Sequence, residues 1–208
     1  DSVNITLPDG AELNPDGSIT HYNTWEDVGQ GGDIGTLTHT AKCLEPLGIT
    51  PDRIHLVMND THRCPDSGIA AGSRSHFMVG NATIHAAEQL MDAMRKQDGT
   101  YRTYDEMVAE GIPTWYKGVY DCTGTAEGID FKTGEGDPNN TMNYGCFMAV
   151  TEVDKKTGAA KVIKVVITAD VGVIGNQLAV EGQAYGGISH TIGYALKEEY
   201  DDVKKSGS

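Results

Sequence analysis

Apolar and polar positions along this chain switch repeatedly between the two-residue period of strands and the three-to-four-residue period of helices. Residues 1–28 read as β structure with turns: NPDG at 14–17 is a strong turn signal, and SITHYNTW after it has strand composition. Ile34, Leu37, Ala41 and Leu44 then repeat at helical spacing, in a helix that should stop near Gly48. RIHLVMN at 53–59 predicts a short strand. Phe77, Gly80, Ile84, Ala87, Met91 and Met94 recur at steps of three and four, an amphipathic helix that frays through Arg95–Gly99. Gly80 on that face leaves room for another backbone. A short helix near 103–110, a β-like piece at 114–123 and a loop at 132–141 follow. YGCFMAVTEV and AAKVIKVVIT are two strands joined by DKKTG at 154–158, the composition of a hairpin. Gln177–Glu199 closes the pattern as a helix with Tyr185, Ile188, Ile192 and Ala195 on one stripe. Helices mixed with hairpins predict an α+β fold, with helices packed on mixed sheets.

Composition narrows the function classes. The formal net charge of -14 at pH 7 argues against a nucleic-acid partner, since phosphate backbones need a concentrated basic face. No apolar run approaches membrane-spanning length. Cys43, Cys64, Cys122 and Cys146 are widely spaced with no CxxC pair, so neither an iron–sulfur cluster nor a structural zinc is expected within the chain. Two disulfides would fit that count; mostly buried thiols are the favoured reading in a chain of 208 residues. That length holds one large domain or two small ones. The chain opens on Asp1 and closes on VKKSGS, the look of a piece cut from something longer.

Three segments carry candidate chemistry. In VGQGGDIG at 28–35, Gly29, Gly31 and Gly32 precede a helix, so unpaired N–H groups and the positive dipole end suit an anion, with Gln30 able to donate to an oxygen. The plainer alternative is a glycine turn capped by Asp33. In CPDSGIAAGSRSHF at 64–77, Ala70, Ala71, Gly72, Ser73 and Ser75 strip away side chains around Arg74 at a helix start near 73–75. Backbone amides, hydroxyls and a guanidinium there converge on phosphate or carboxylate oxygens, unless a Ser merely caps the helix with Arg74 in solvent. In VEGQAYGGISHTIG at 180–193, Gly182, Gly186 and Gly187 each cost a helix up to about 1 kcal/mol, which suggests a close approach by a helix or a ligand beside Gln183. His190 is a possible acid–base group. No nucleophile–base spacing, HExxH motif or carboxylate pair stands out, and Asp60, Asp66 and Glu181 are candidates by type only.

Taken in order, WEDVGQGGDIG, CPDSGIAAGSRSHFMVGNA, YGCFMAVTEVDKKTG and NQLAVEGQAYGGISHTIGYALKEE resemble consecutive blocks of the molybdenum hydroxylases, the family of xanthine dehydrogenase and aldehyde oxidase. The likeness runs from about residue 18 to 205 and is nearest the aldehyde-oxidising members. It implies a molybdopterin-binding region carrying molybdopterin cytosine dinucleotide with molybdenum, the metal held by the cofactor's dithiolene, so that no residue here is a metal ligand. Gly29, Gln30, Gly31, Ala70, Ala71, Gly72, Ser73, Arg74, Ser75 and Gln183 match the family's cofactor contacts. The implied reaction is hydroxylation of an aldehyde to a carboxylate, with oxygen from water and electrons passing to iron–sulfur clusters. Those clusters, the first molybdenum-binding domain and the Gly-Val-Gly-Glu segment bearing the general base have no counterpart within residues 1–208, so no catalytic residue is assigned. The expectation is a single fragment of the cofactor-binding region, 1–208, inactive alone, cytoplasmic, working with the enzyme's other domains or subunits and dimeric in the whole. The competing readings are a stand-alone module that binds a pterin dinucleotide or other phosphorylated ligand, and a disulfide-bonded structural protein.

Overall fold

A computed structural model describes residues 6–66, 68, 70, 74–122, 128–139 and 141–199. Its contacts divide the chain into two units, Asp1–Asn140 and Thr141–Ser208. The first is built on a four-stranded mixed sheet in the order β3-β2-β1-β4. Strands β1 (Thr6–Leu13) and β2 (Ile19–Asn23) form a hairpin across the predicted turn, closed by Gly17 N–H donating to Asn14 O (2.9 Å). Asp16 accepts from both the backbone N–H and the hydroxyl of Ser18, which holds its carboxyl below the usual range. β3 (Ile54–Met58) lies parallel to β2, and β4 (Trp115–Asp121) antiparallel to β1. Helix α1 (Gly32–Cys43) is the crossover between the parallel pair, and α2 (Gly80–Met94), entered through a π-helical turn at Ser75–Val79, covers β1 and β4.

The core lies between α2 and the sheet: Leu13, Ile19, Leu44, Leu90, Met94 and Met107 are buried together. α1 buries a different face from the one its apolar spacing predicts, whereas α2 buries the expected Gly80, Ala87 and Met94 together with a neighbouring row of positions. In α1 the buried positions are Gly32, Thr36 and Thr40, while Ile34 is exposed. Threonines face inward there because β2 presents the polar side chains His21 and Asn23. In α2 the buried stripe is Ala82, Thr83, Ala86, Ala87, Leu90 and Met94, with Ile84 and Met91 half-buried. Small residues are needed at 82 and 86 because β4 comes very close: a Cβ on Gly118 would stand 1.9 Å from Ala82 O and 2.4 Å from Ala86 N. Gly80 makes room for a side chain rather than a backbone, since its missing Cβ would meet His39 Nε2 at 2.8 Å.

After α2 the chain turns at once instead of fraying. Arg95 is extended and bridges Tyr101, and Lys96 N–H donates to Thr100 O (2.8 Å). The short helix α3 (Tyr104–Ala109) starts with a capping box in which Glu106 N–H donates to Thr103 Oγ1 and Thr103 N–H to Glu106 Oε2. A two-residue strand pair joins β5 (Gly128–Ile129), ahead of the expected loop, to β6 (Gly136–Asp137) within it.

The second unit is the predicted hairpin, β7 (Tyr144–Val153) with β8 (Ala160–Asp170), followed by α4 (Gln177–Leu196). Asp154 organises the connection, its carboxylate accepting from Lys156 and Thr157 N–H, which depresses its pKa. The half-buried face of α4 is Val180, Ala184, Ile188 and Ile192, which keeps Ile188 and Ile192 of the expected stripe, whereas Tyr185, 66% exposed, and Ala195 fall outside it. No disulfide joins the four cysteines: Cys43, Cys64 and Cys122 are half-buried and Cys146 exposed, so the thiols are less buried than expected. Burial pushes the Cys64 thiol pKa up. Among the described residues no helix is long and apolar enough to cross a membrane.

These packing distances give a direct contrast. Gly118→Ala should cost the first unit about 3 kcal/mol or more, because a backbone has to move. Gly182→Ala on α4, where a Cβ meets nothing within 4 Å, should be neutral or stabilising by up to about 1 kcal/mol. Urea midpoints of the two variants check this.

Candidate functional site

The two ligand-suited loops of the first unit leave the carboxyl ends of the neighbouring parallel strands β2 and β3, and each leads into a helix. In open sheets that end of a parallel pair is where ligands collect. Residues 24–31 follow β2, residues 59–74 follow β3, and Asn59 N–H donates to Asn23 O (3.1 Å) where they diverge.

Asn23 roots the first loop. It is fully buried; its Oδ1 accepts from Trp25 N–H (2.8 Å), and its Nδ2 lies 2.7 Å from His21 Nε2 and 3.4 Å from Thr36 Oγ1. Thr40 Oγ1 donates to Thr36 O (2.8 Å) and meets His21 Nδ1 at 3.2 Å. With the Thr40 hydroxyl proton used on the helix, His21 carries its proton on Nδ1 and accepts at Nε2. Trp25, 6% exposed, then lies under the helix start, its indole filling the space a Cβ on Gly32 would take (2.9 Å). Its Nε1–H is buried and meets no acceptor.

Above Trp25 the glycine turn closes on itself. Gly29 and Gly31 both adopt positive φ (106° and 86°), a conformation that favours glycine and gathers successive N–H groups. The group they surround is Asp27: Oδ1 accepts from Gly29 N–H (2.9 Å) and Gly31 N–H (3.2 Å), and Oδ2 from Asp33 N–H (3.1 Å). These bonds, led by those from Gly29 and Asp33, hold the Asp27 carboxyl below the usual range. The amides read from the sequence as unpaired are therefore already bound to a carboxylate, and the capping acid is Asp27 rather than Asp33. Gln30 is folded inward, Nε2 donating to Glu26 O (2.6 Å) and Oε1 accepting from Val28 N–H (2.7 Å).

The second loop comes to the first. Ala70 N–H donates to Glu26 Oε2 (2.9 Å), and Thr24 Oγ1 to Pro65 O (3.2 Å). His76 on the π-helical turn stands edge-on to Trp25 (centroids 5.9 Å) and to His39 of α1 (5.1 Å). Arg74, half-buried, opens the helical run, its guanidinium beside Gly68, where a Cβ would meet Nη1 at 2.9 Å. Ser75 is half-buried in the same turn. Ala71, Gly72 and Ser73 lie outside the described residues. Gln183 belongs to the second unit and is exposed on α4, as is His190, and Gly182, Gly186 and Gly187 have open space where a Cβ would be. Among the described residues no cluster of His, Cys, Asp or Glu could hold a metal ion. Sequence reading missed Glu26, Asp27 and Asn23. The one signal for Asp27 was its place two residues ahead of the first glycine, the spacing at which an Asp side chain bonds its own backbone.

The comparisons with known proteins bear on this geometry. A family model described as a molybdopterin cofactor-binding domain matches residues 8–207. The chain belongs to that family. An aldehyde oxidoreductase of Megalodesulfovibrio gigas is 44% identical over 195 residues, covering 94% of this chain and 21% of the relative. The crystal structure of the aldehyde oxidoreductase from Desulfovibrio desulfuricans superposes with a TM-score of 0.90 at 47% identity, over 98% of this chain and 22% of that one. The large chain of carbon monoxide dehydrogenase from Afipia carboxidovorans is 25% identical over 97% of this chain and 27% of its own length. The chain thus spans about a fifth to a quarter of these relatives. This molybdopterin-binding domain has the α+β architecture expected of it.

Asn23→Ala should destabilise the first unit by about 2–4 kcal/mol, since the amide of Trp25 and the ring of His21 lose buried partners; thermal melting measures it. A depressed carboxylate pKa means the Asp27 contacts are complete above the unfolded value of about 3.9 and are lost only as pH falls through the lower folded value. In NMR titrations the Asp27 carboxyl carbon and the Gly29 and Gly31 amides should move together in that acidic window.

Proposed function

We propose that this domain is the central part of the molybdenum-binding region of an aldehyde-oxidising hydroxylase, and that its two loops hold molybdopterin cytosine dinucleotide. The observation that carries the reading is the convergence of both loops at one end of the parallel pair, joined through Glu26 and Ala70, in a chain that superposes on aldehyde oxidoreductase at a TM-score of 0.90. The residues fit such a ligand. The glycine turn already binds anionic oxygen, as Asp27 demonstrates, and the buried Trp25 Nε1–H beside Gly32 has no acceptor. Gly29, Gly31 and Ala70, whose N–H groups are held by Asp27 and Glu26, would line the ligand closely as backbone without a bulky side chain. Ala71, Gly72, Ser73 and Ser75 would offer backbone and hydroxyl donors, Arg74 its fixed charge, and Gln30 and Gln183 their amides. For Gln30 to touch the cofactor its carboxamide leaves Glu26 O and Val28 N–H.

When bound, the molybdenum centre supplies the two-electron oxidation in which an aldehyde gains oxygen from water. This chain's residues bind and orient the pterin and its phosphates, and the general base and the iron–sulfur clusters belong to other parts of the enzyme. The partners in this reading are an aldehyde, those further domains and a second copy of the enzyme. Cysteines not joined in disulfides suit a reducing compartment, and we place the enzyme in the cytoplasm.

Arg74→Ala in the natural polypeptide that carries this domain should weaken retention of the dinucleotide about 10- to 100-fold, the worth of a charge-assisted hydrogen bond. Cytidine and molybdenum content per polypeptide reads this out, and unchanged contents would remove Arg74 from the phosphate site. A wild-type protein that holds the dinucleotide but turns over no aldehyde in its complete form would favour a storage or delivery module.

A further inference from the structure

Two adjacent carboxylates stand at the heart of a site read as binding a polyanion, where each would repel phosphate. What they do is visible in their bonds. Asp27 spends both oxygens on Gly29, Gly31 and Asp33 N–H within its own turn. Glu26 reaches outward instead, Oε2 to Ala70 N–H, while its carbonyl holds the Gln30 carboxamide. Their neighbours are fixed from below, Trp25 through Asn23 and Val28 through Gln30. We propose that Glu26 and Asp27 are a positioning pair for the cofactor: Asp27 sets the curvature of the glycine turn, and Glu26 sets the spacing between that turn and the small-residue loop. The pair rests on the cofactor reading above but acts through loop geometry, without touching the cofactor.

The division of labour follows from connectivity. Among the described residues Asp27 ties only positions of its own turn, residues 29, 31 and 33 foremost, so its loss loosens the first loop alone. Glu26 joins residues 44 apart in sequence, so its loss frees the second loop from the first while the glycine turn keeps its shape. An uncharged acceptor of the same length still serves, because the bond at Ala70 needs an oxygen rather than a charge.

The test uses amide hydrogen exchange and bound cytidine content in wild type, Glu26→Ala, Glu26→Gln and Asp27→Ala. In the cofactor-free protein, Glu26→Ala should speed exchange at Ala70 about 10-fold or more with Gly29 and Gly31 unchanged, and Asp27→Ala should do the reverse. In the natural polypeptide, both alanine variants should lose roughly 10-fold in cytidine retention, and Glu26→Gln should restore both readouts to within about threefold of wild type. Unchanged exchange in the alanine variants overturns the proposal, as does equal loss in Glu26→Gln and Glu26→Ala, which would make the charge itself the active feature. A rise in cytidine retention in Asp27→Ala overturns it too, making Asp27 a competitor that fills the ligand's place. Absence of cytidine from the wild type would instead sink the cofactor reading, while the exchange data still decide whether the pair positions the loops.

Discussion

The buried carboxamide of Asn23 is the constraint from which the rest of the first unit follows. Its hydrogen bonds reach back to His21 in the same strand, across to Thr36 in α1 and forward to the backbone of Trp25. A buried polar group leaves little freedom, because a donor or acceptor left without a partner costs about 1–3 kcal/mol. The network therefore dictates that α1 turns threonines to the sheet, that the helix sits in one register, and that the chain leaves β2 in one direction. Trp25 is delivered beneath the helix start, and everything above it is built on that indole.

From this root the site acquires its location. A parallel pair of strands puts both outgoing loops at the same end, which an antiparallel pair would not. β2 and β3 are such a pair inside a sheet that is otherwise antiparallel, so the first unit carries a small crossover motif on a hairpin scaffold. Gly118 allows α2 to sit almost on β4, and through α2 the loop bearing Arg74 is brought level with the glycine turn. The contact of His76 with Trp25 and His39 links both helix starts to one aromatic cluster.

The glycine turn also shows how an acidic protein keeps an anion-binding geometry in order. Successive N–H groups pointing the same way repel one another and attract an oxygen. In a chain of net charge -14 a side-chain carboxylate is close at hand to serve. The second unit has a different economy: Tyr144, Phe147, Val153 and Tyr185 are exposed, and a two-stranded hairpin with one helix buries little of its own apolar surface.

The sequence by itself determined most of the elements, because strand and helix periods and the NPDG and DKKTG turns are local signals. It also carried the family, since four blocks in order are a linear property. What only the tertiary structure decided was orientation and pairing. The apolar stripe of α1 pointed to the wrong face, and those of α2 and α4 were only half right. Thr36 and Thr40 are buried for their hydrogen bonds, Ala82 and Ala86 join the expected Gly80, Ala87 and Met94 because they are small, and Tyr185 has no cover in its unit although Ile188 and Ile192 are half-buried as expected. The parallel pairing of β2 with β3 was invisible, as pairing joins segments about 35 residues apart whose own patterns do not encode it. So were the roles of Asn23, Glu26 and Asp27. A polar residue in a sequence shows what it can bond, but its partner is chosen by the fold that brings one within reach.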